Sequence, residues 1–269
     1  MFGKTTDKLP QAFGPPPKDH ATGALPQHGF ARNSTWEYLG SSSSESGALS
    51  KGGDDSVKLD FGLSAANLSD EHKKAWPYEF GLVYTVTLGK DGLQTMLNVR
   101  NQGKEPFEFQ MLLHTYFKVD VSNTHHLPAR PSKHPDAAAN SPSSQDVTTL
   151  QINGLGSVTY TDKVLNATEH TQTDPALAIT GETDRVYKSI KQDTTSVLQG
   201  GKPRFDVTRD NLEDTVVWNP WVEKNKAMAD LHDGAYKNFV CVEVGAVNGW
   251  QRLEAGETFE GGMIVKSHL

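Results

Sequence analysis

Cys241 is the only cysteine in this 269-residue chain. A lone thiol excludes an internal disulfide framework and fits a reducing compartment. Long apolar runs are lacking as well, and nothing approaches the roughly 18 residues that a membrane span needs. The opening MFGKTTDKLPQAFGPPPK has no apolar stretch of the kind a secretory leader carries. Sequons at Asn33, Asn67 and Asn166 therefore read as chance matches, and a soluble cytosolic chain is the expectation. Basic charge is not in excess: 26 Lys and Arg stand against 33 Asp and Glu, a formal net charge of −7. That balance argues against a broad nucleic-acid surface and leaves small anions to local Arg and Lys side chains. No phosphate-cradling glycine loop, dinucleotide fingerprint or G-x-S-x-G elbow occurs.

Short β-type runs fill the chain instead. FGLVYTVTL (80–88), LQTMLNVRN (93–101) and FEFQMLLHTYFKV (107–119) are rich in β-branched and aromatic residues. Gly-containing links at 90–92 and 101–104 predict that these three form an antiparallel meander. Further strands are expected at 147–153, 157–161, 177–180, 185–190, 194–199, 204–209, 214–218, 239–247 and 258–266. Helical pattern appears once, in PWVEKNKAMADLHDG, with Pro220 suited to a first turn and Gly234 to a stop. Many strands and one short helix imply an all-β sandwich or barrel in a single domain spanning 1–269. GSSSSESGALSKGGDDS (40–56) and SNTHHLPARPSKHPDAAANSPSSQD (122–146) have too little apolar content to pack, and read as disordered insertions.

Polar residues inside apolar strands are the candidates for chemistry. His114 sits in LLHTYFKVD, where an imidazole serves either as a hydrogen-bonded core residue or as a proton carrier near neutral pH. In FVCVEVG, alternation puts Phe239, Cys241, Glu243 and Gly245 on one face and three valines on the other. A carboxylate there is costly to bury unless it is paired or its pKa rises, and a raised pKa suits a general base. A solvated strand edge is the alternative.

LPQHGFARNSTW (25–36) combines Gln27, His28 and Arg32 with a glycine that permits close backbone approach. Arg32 matches an oxyanion or sugar hydroxyls, or is simply exposed. Asp184 in GETDRVYKSI has the chemistry to accept hydrogen bonds from vicinal hydroxyls, and Arg185 and Lys188 to assist with an anion; solvated turn charges are the plainer reading. Trp218 and Trp221 read as packing, with Trp218 and Asn219 near a site mouth. His125, His126 and His134 lack carboxylate or thiol partners at ligand spacing, so no metal is expected at them.

Several segments then meet in one pattern. FGPPPKDHATGALPQHGFARNSTWEYLG, YEFGLVYTVTLG, LLHTYFKVD, VTYTDKVLNAT, ETDRVY, VVWNPW and VCVEVGAV follow one another from about residue 13. Together they resemble the glucose-6-phosphate 1-epimerases, the hexose-6-phosphate mutarotase branch of the aldose 1-epimerase family. The resemblance implies a galactose mutarotase-like antiparallel β-supersandwich with an open sugar cleft. It implies His114 as proton donor to the ring oxygen and Glu243 as base at the anomeric hydroxyl. His28, Arg32, Asp184 and Gln27 become substrate-binding residues. It further implies a monomeric enzyme on a small sugar phosphate, with no cofactor, metal, nucleic acid or membrane partner.

One departure stands out. The family carries strands before FGPP, including an Arg-Gly-Gly turn whose arginine contributes to phosphate binding, and MFGKTTDKLPQAFGPP has no such turn. That leaves Arg32, and secondarily the basic residues near 185–188, to bind phosphate. It also keeps two rivals in view: an aldose 1-epimerase of unphosphorylated sugars, and a non-catalytic sugar-phosphate binder.

Overall fold

The computed structural model describes residues 17–44, 55–118 and 147–268. Its strands are β1 (Glu37–Ser44), β2 (Ser56–Ser64), β3 (Phe80–Gly89), β4 (Gly92–Asn101), β5 (Phe107–Leu113), β6 (Tyr116–Lys118), β7 (Leu150–Asn153) and β8 (Thr159–Asp162). They continue with β9 (Thr168–Thr171), β10 (Ala176–Ala178), β11 (Thr183–Tyr187), β12 (Thr194–Gln199), β13 (Lys202–Asp210), β14 (Asp214–Asn219), β15 (Phe239–Leu253) and β16 (Thr258–Ser267). Two six-residue helices accompany them, α1 (Asp70–Ala75) and α2 (Trp221–Lys226).

The strands build two antiparallel sheets. The larger runs β1-β2-β3-β4-β16-β13-β12-β7-β10; the smaller runs β5-β15-β14-β11-β8-β9, with β6 also on β15. Between them lies the main core, where Val217, Val240, Val242 and Val244 of the smaller sheet meet Ile152, Val197, Val207 and Met263 of the larger. Each such side chain stabilises the fold by about 1.5–3 kcal/mol relative to exposure. The valines of FVCVEVG are thus claimed by the core, and alternation turns Cys241 and Glu243 to the outer face of the smaller sheet. Both faces are covered here, and Phe239 to Val247 are buried without a break. Gly245 lets β5 pass close, since a Cβ there would lie 2.5 Å from the Met111 carbonyl oxygen.

Several expectations need correcting. The meander stops after two strands: β3 pairs with β4, but β5 crosses to the other sheet and pairs with β15. The fully buried Asn101 makes the crossing, donating to the Glu105 and Leu253 carbonyls and accepting from Gly103 N–H. The segment 40–56 is not wholly loop, because 40–44 belong to β1 and Ser56 opens β2, while 45–54 lie outside the described residues. Its serines pair as an edge strand, where little apolar surface is required. All of 122–146 lies outside the described residues.

The helical segment at 220–234 shrinks to α2, and Gly234, at φ 79°, leads into a 3-10 turn at Ala235–Asn238. A second short helix, α1, is capped by Ser69 accepting from His72 N–H. No helix among the described residues is long and apolar enough to cross a membrane.

Candidate active site

On its outer face the smaller sheet aligns polar and aromatic residues in two rows. Register places Asp184 opposite Trp218, Trp218 opposite Cys241, and Cys241 opposite Tyr116. The next row is Val186, Val216 and Glu243. His114 enters from the break between β5 and β6, where strand pairing lapses for residues 114 and 115. Pairing is kept in step by Val242 N–H donating to the Thr115 carbonyl. Residues 112–118 therefore form two strand pieces flanking an imidazole, not one continuous strand.

His114 Nδ1 lies 3.3 Å from Glu243 Oε1. The carboxylate side chain is 3% exposed and the imidazole 29%. Tyr116 stacks on the His114 ring at 5.0 Å and 5°, and Trp218 meets it edge-on at 6.3 Å and 84°. These contacts fix the ring plane.

Burial, aided by the nearby negative charge of Asp184, pushes Glu243 well above the ordinary carboxylate range, against the pull of Lys163. Burial, with the Arg32 charge, holds His114 below the usual imidazole value, against a backbone hydrogen bond. One group binds protons more tightly than usual and the other less. A proton shared between them is thus drawn toward the carboxylate.

His28 lies 6.0 Å from His114, ring to ring. It takes φ 66° and is followed by Gly29 at φ 66°, a left-handed pair that turns the chain into the site. Such a conformation at a non-glycine residue costs on the order of 1 kcal/mol and clusters at functional positions. Burial, then the charges of Arg32, His114 and Lys163, lower the His28 pKa to about 4, so its ring is a neutral hydrogen-bonding group at pH 7.

Arg32 is exposed and lines the same cavity as His28 and His114. That cavity holds about 270 Å³ and is also lined by Trp76, Phe80, Phe107 and Phe109. Gln27 is half-buried beside His28 and does not line it.

Asp184 is buried, and burial raises its pKa against the pull of Lys163 and Lys224. Lys163 Nζ stands 3.5 Å from one of its carboxylate oxygens and Lys224 Nζ 3.8 Å from the other. Neither lysine was singled out from the sequence. Lys163 stands two residues beyond Thr161, the partner of Val186 in the register, and only that pairing brings it beside Asp184.

The basic residues expected near 185–188 do not join the site. Arg185 turns to the opposite face of β11, bonds Asp162 at 3.1 Å and lies over the Tyr160 ring. Lys188 is held by Glu169 at 2.8 Å. Strand alternation separates Arg185 from Asp184, whereas Lys188 lies past the end of β11 and is engaged by Glu169 of β9.

Trp218 reaches the site, whereas Trp221 packs on Tyr236. Asn219 is fully buried, donating to the Tyr236 and Phe239 carbonyls and accepting from Trp221 N–H. Its place is beneath the site and its contacts are structural. One group of potential metal donors occurs among the described residues: His114, Cys241 and Glu243.

The aldose 1-epimerase family profile matches residues 14–266. A curated protein of Cenchrus ciliaris, "Putative glucose-6-phosphate 1-epimerase", is 31% identical over 242 residues, covering 89% of this chain and 64% of the relative. One of the same name from Escherichia coli K12 is 31% identical, covering 90% and 66%. The chain thus spans just under two thirds of the length of these relatives.

Among solved structures, a "putative mutarotase" from Salmonella typhimurium is 25% identical, with a TM-score of 0.69 over 95% of this chain and 72% of that one. A galactose mutarotase-like protein from Lactobacillus casei shares the fold at 15% identity and TM-score 0.61, over 91% and 76%. With the profile matched across residues 14–266, the chain belongs to the aldose 1-epimerase family.

Proposed function

We propose that this protein interconverts the α and β anomers of a hexose 6-phosphate, glucose 6-phosphate first among them, by ring opening and reclosure. The observation that carries the reading is the 3.3 Å contact between a part-exposed imidazole and a buried carboxyl. O1 and O5 of a pyranose are both bonded to C1. A donor and an acceptor lying side by side therefore serve both atoms. Placement on opposite sides of the ring is not required.

In the reactive form His114 carries the shared proton and Glu243 is ionised. Glu243 takes the O1 proton, C1=O1 forms, the C1–O5 bond breaks, and His114 protonates O5. The pair again holds one proton, now on Glu243. Rotation about C1–C2 and the reverse transfers give the other anomer, with no net change in the enzyme. Such positioned proton transfers contribute about 10²–10⁴-fold each.

Asp184, held by two lysines, accepts hydrogen bonds from sugar hydroxyls, and His28 and Gln27 add neutral polar contacts. Arg32 receives the phosphate. We place the protein in the cytoplasm as a monomer, with the whole chain acting as one sandwich domain.

The phosphate assignment has its own test. Arg32→Ala should raise KM for glucose 6-phosphate at least tenfold and leave exchange of unphosphorylated glucose nearly unchanged. NMR exchange rates on the two sugars measure this. Equal losses on both would point to the non-phosphorylated aldose reading, and binding without any exchange to a non-catalytic sugar-phosphate binder.

A further inference from the structure

Beside the acid–base pair sits a third donor that proton exchange does not use. Cys241 is two residues before Glu243 on the same face of β15 and is wholly buried. Its Sγ, a ring nitrogen of His114 and a carboxylate oxygen of Glu243 all lie within 4.8 Å of one another. We propose that these three side chains form an inhibitory zinc site that closes the acid–base pair to sugar.

The geometry is near what the ion requires. Zinc bonds of about 2.0–2.3 Å in a tetrahedron hold donors roughly 3.3–3.7 Å apart. The imidazole and carboxylate are already at 3.3 Å. The sulfur, within 4.8 Å of both, has at most a short side-chain adjustment to make. Two donors ride on one strand inside a continuous buried run, which keeps them in register. The third is held in plane by Tyr116 and Trp218. The part-exposed imidazole marks the open side of the group, where a water completes the tetrahedron.

The donor chemistry selects the ion. Thiolate, imidazole and carboxylate together suit zinc and exclude magnesium and calcium, which prefer all-oxygen sets. On binding, the Cys241 S–H bond breaks and the Zn–S bond forms; this proton and the one shared by His114 and Glu243 both leave to solvent, with no redox change. The metal then occupies the lone pairs that would carry protons between O1 and O5. Loss of exchange follows directly. Burial otherwise holds the Cys241 thiol well above its usual pKa, so without metal it stays protonated and inert.

The inhibitory half of the proposal rests on the anomer-exchange reading; the binding half does not. Equilibrium dialysis of the full chain against Zn²⁺ should show a site that Cys241→Ser and Cys241→Ala each weaken at least tenfold and that excess Mg²⁺ does not displace. Co²⁺ in its place should give a thiolate-to-metal charge-transfer band that both variants lose. On α-glucose 6-phosphate, Zn²⁺ should stop exchange reversibly, a chelator restoring it. The variants should exchange normally without metal and need at least tenfold more Zn²⁺ for the same inhibition. Zinc binding that is absent, or equally tight in wild type and variants, overturns the proposal. Zinc bound as expected to a protein without exchange activity would leave the site standing and remove the mutarotase reading instead.

Discussion

Glu243 and His114 illustrate how environment, not residue type, assigns a chemical role. Neither side chain is unusual for a strand until the register brings them to 3.3 Å. Burial then moves their proton affinities in opposite directions. Asp184 adds to the effect on Glu243, since a nearby negative charge disfavours a second one. Asp184→Asn removes that charge, so Glu243 should lose its proton more easily. The alkaline limb of the kcat/KM profile, where the pair gives up its single proton, should move to lower pH. A limb that stays in place or moves upward would contradict this coupling.

At the same scale, His114 and Glu243 stood out in the sequence as polar residues in apolar strands, with a structural reading open for each, and only the family resemblance joined them as donor and base. Lys163 and Lys224 were not legible. Each is an ordinary charged residue in its own segment, and only the pairing of β8 with β11 and the placement of α2 bring them beside Asp184. Arg185 was misplaced for the same reason, since one residue along a strand is the opposite face.

At the scale of elements, β14, α2 and the start of β15 meet on one side chain. Asn219 ends β14, receives the first N–H of α2 and ties down the carbonyls of Tyr236 and Phe239. Asn219→Ala would leave two buried carbonyls and an N–H unpaired. A loss of about 2–4 kcal/mol in urea or thermal unfolding is expected, against near zero for a surface substitution. A loss under 1 kcal/mol would show that water or a shifted backbone replaces these bonds.

Strand positions from β11 to β16 follow the sequence reading closely, because the valines and aromatics there alternate between two covered faces. The misses are β1, β2 and β9. β1 is a serine run at a sheet edge, half of whose pairing demands nothing apolar, so periodicity carries no trace of it. The crossing of β5 between sheets was equally hidden, since a short polar link reads as a hairpin unless the partner of Asn101 is known.

At the scale of the whole molecule, the sandwich has two unequal borders. The site face carries aromatics and ion pairs, whereas the β1–β2 border leaves large apolar side chains exposed among the described residues. Tyr38, Leu39 and Val57 are all more than half exposed there. An edge of this kind invites strand pairing with a second copy. Leu39→Lys should raise the protein concentration at which light scattering first appears, with the unfolding midpoint little changed. An unchanged onset would mean that this edge is not the sticking surface.

The same architecture ties fold to function. The inner faces of the strands supply the core between the sheets, and the candidate site lies on the outer face of the smaller sheet beside the loop bearing His28 and Arg32. The most direct test is exchange spectroscopy of the two anomeric resonances of glucose 6-phosphate with wild type, His114→Ala and Glu243→Gln at equal concentration. Wild type should exchange the anomers well above the uncatalysed rate, and each variant, folded by circular dichroism, should fall at least about 100-fold. A folded variant of either residue that exchanges within a few-fold of wild type would contradict the account.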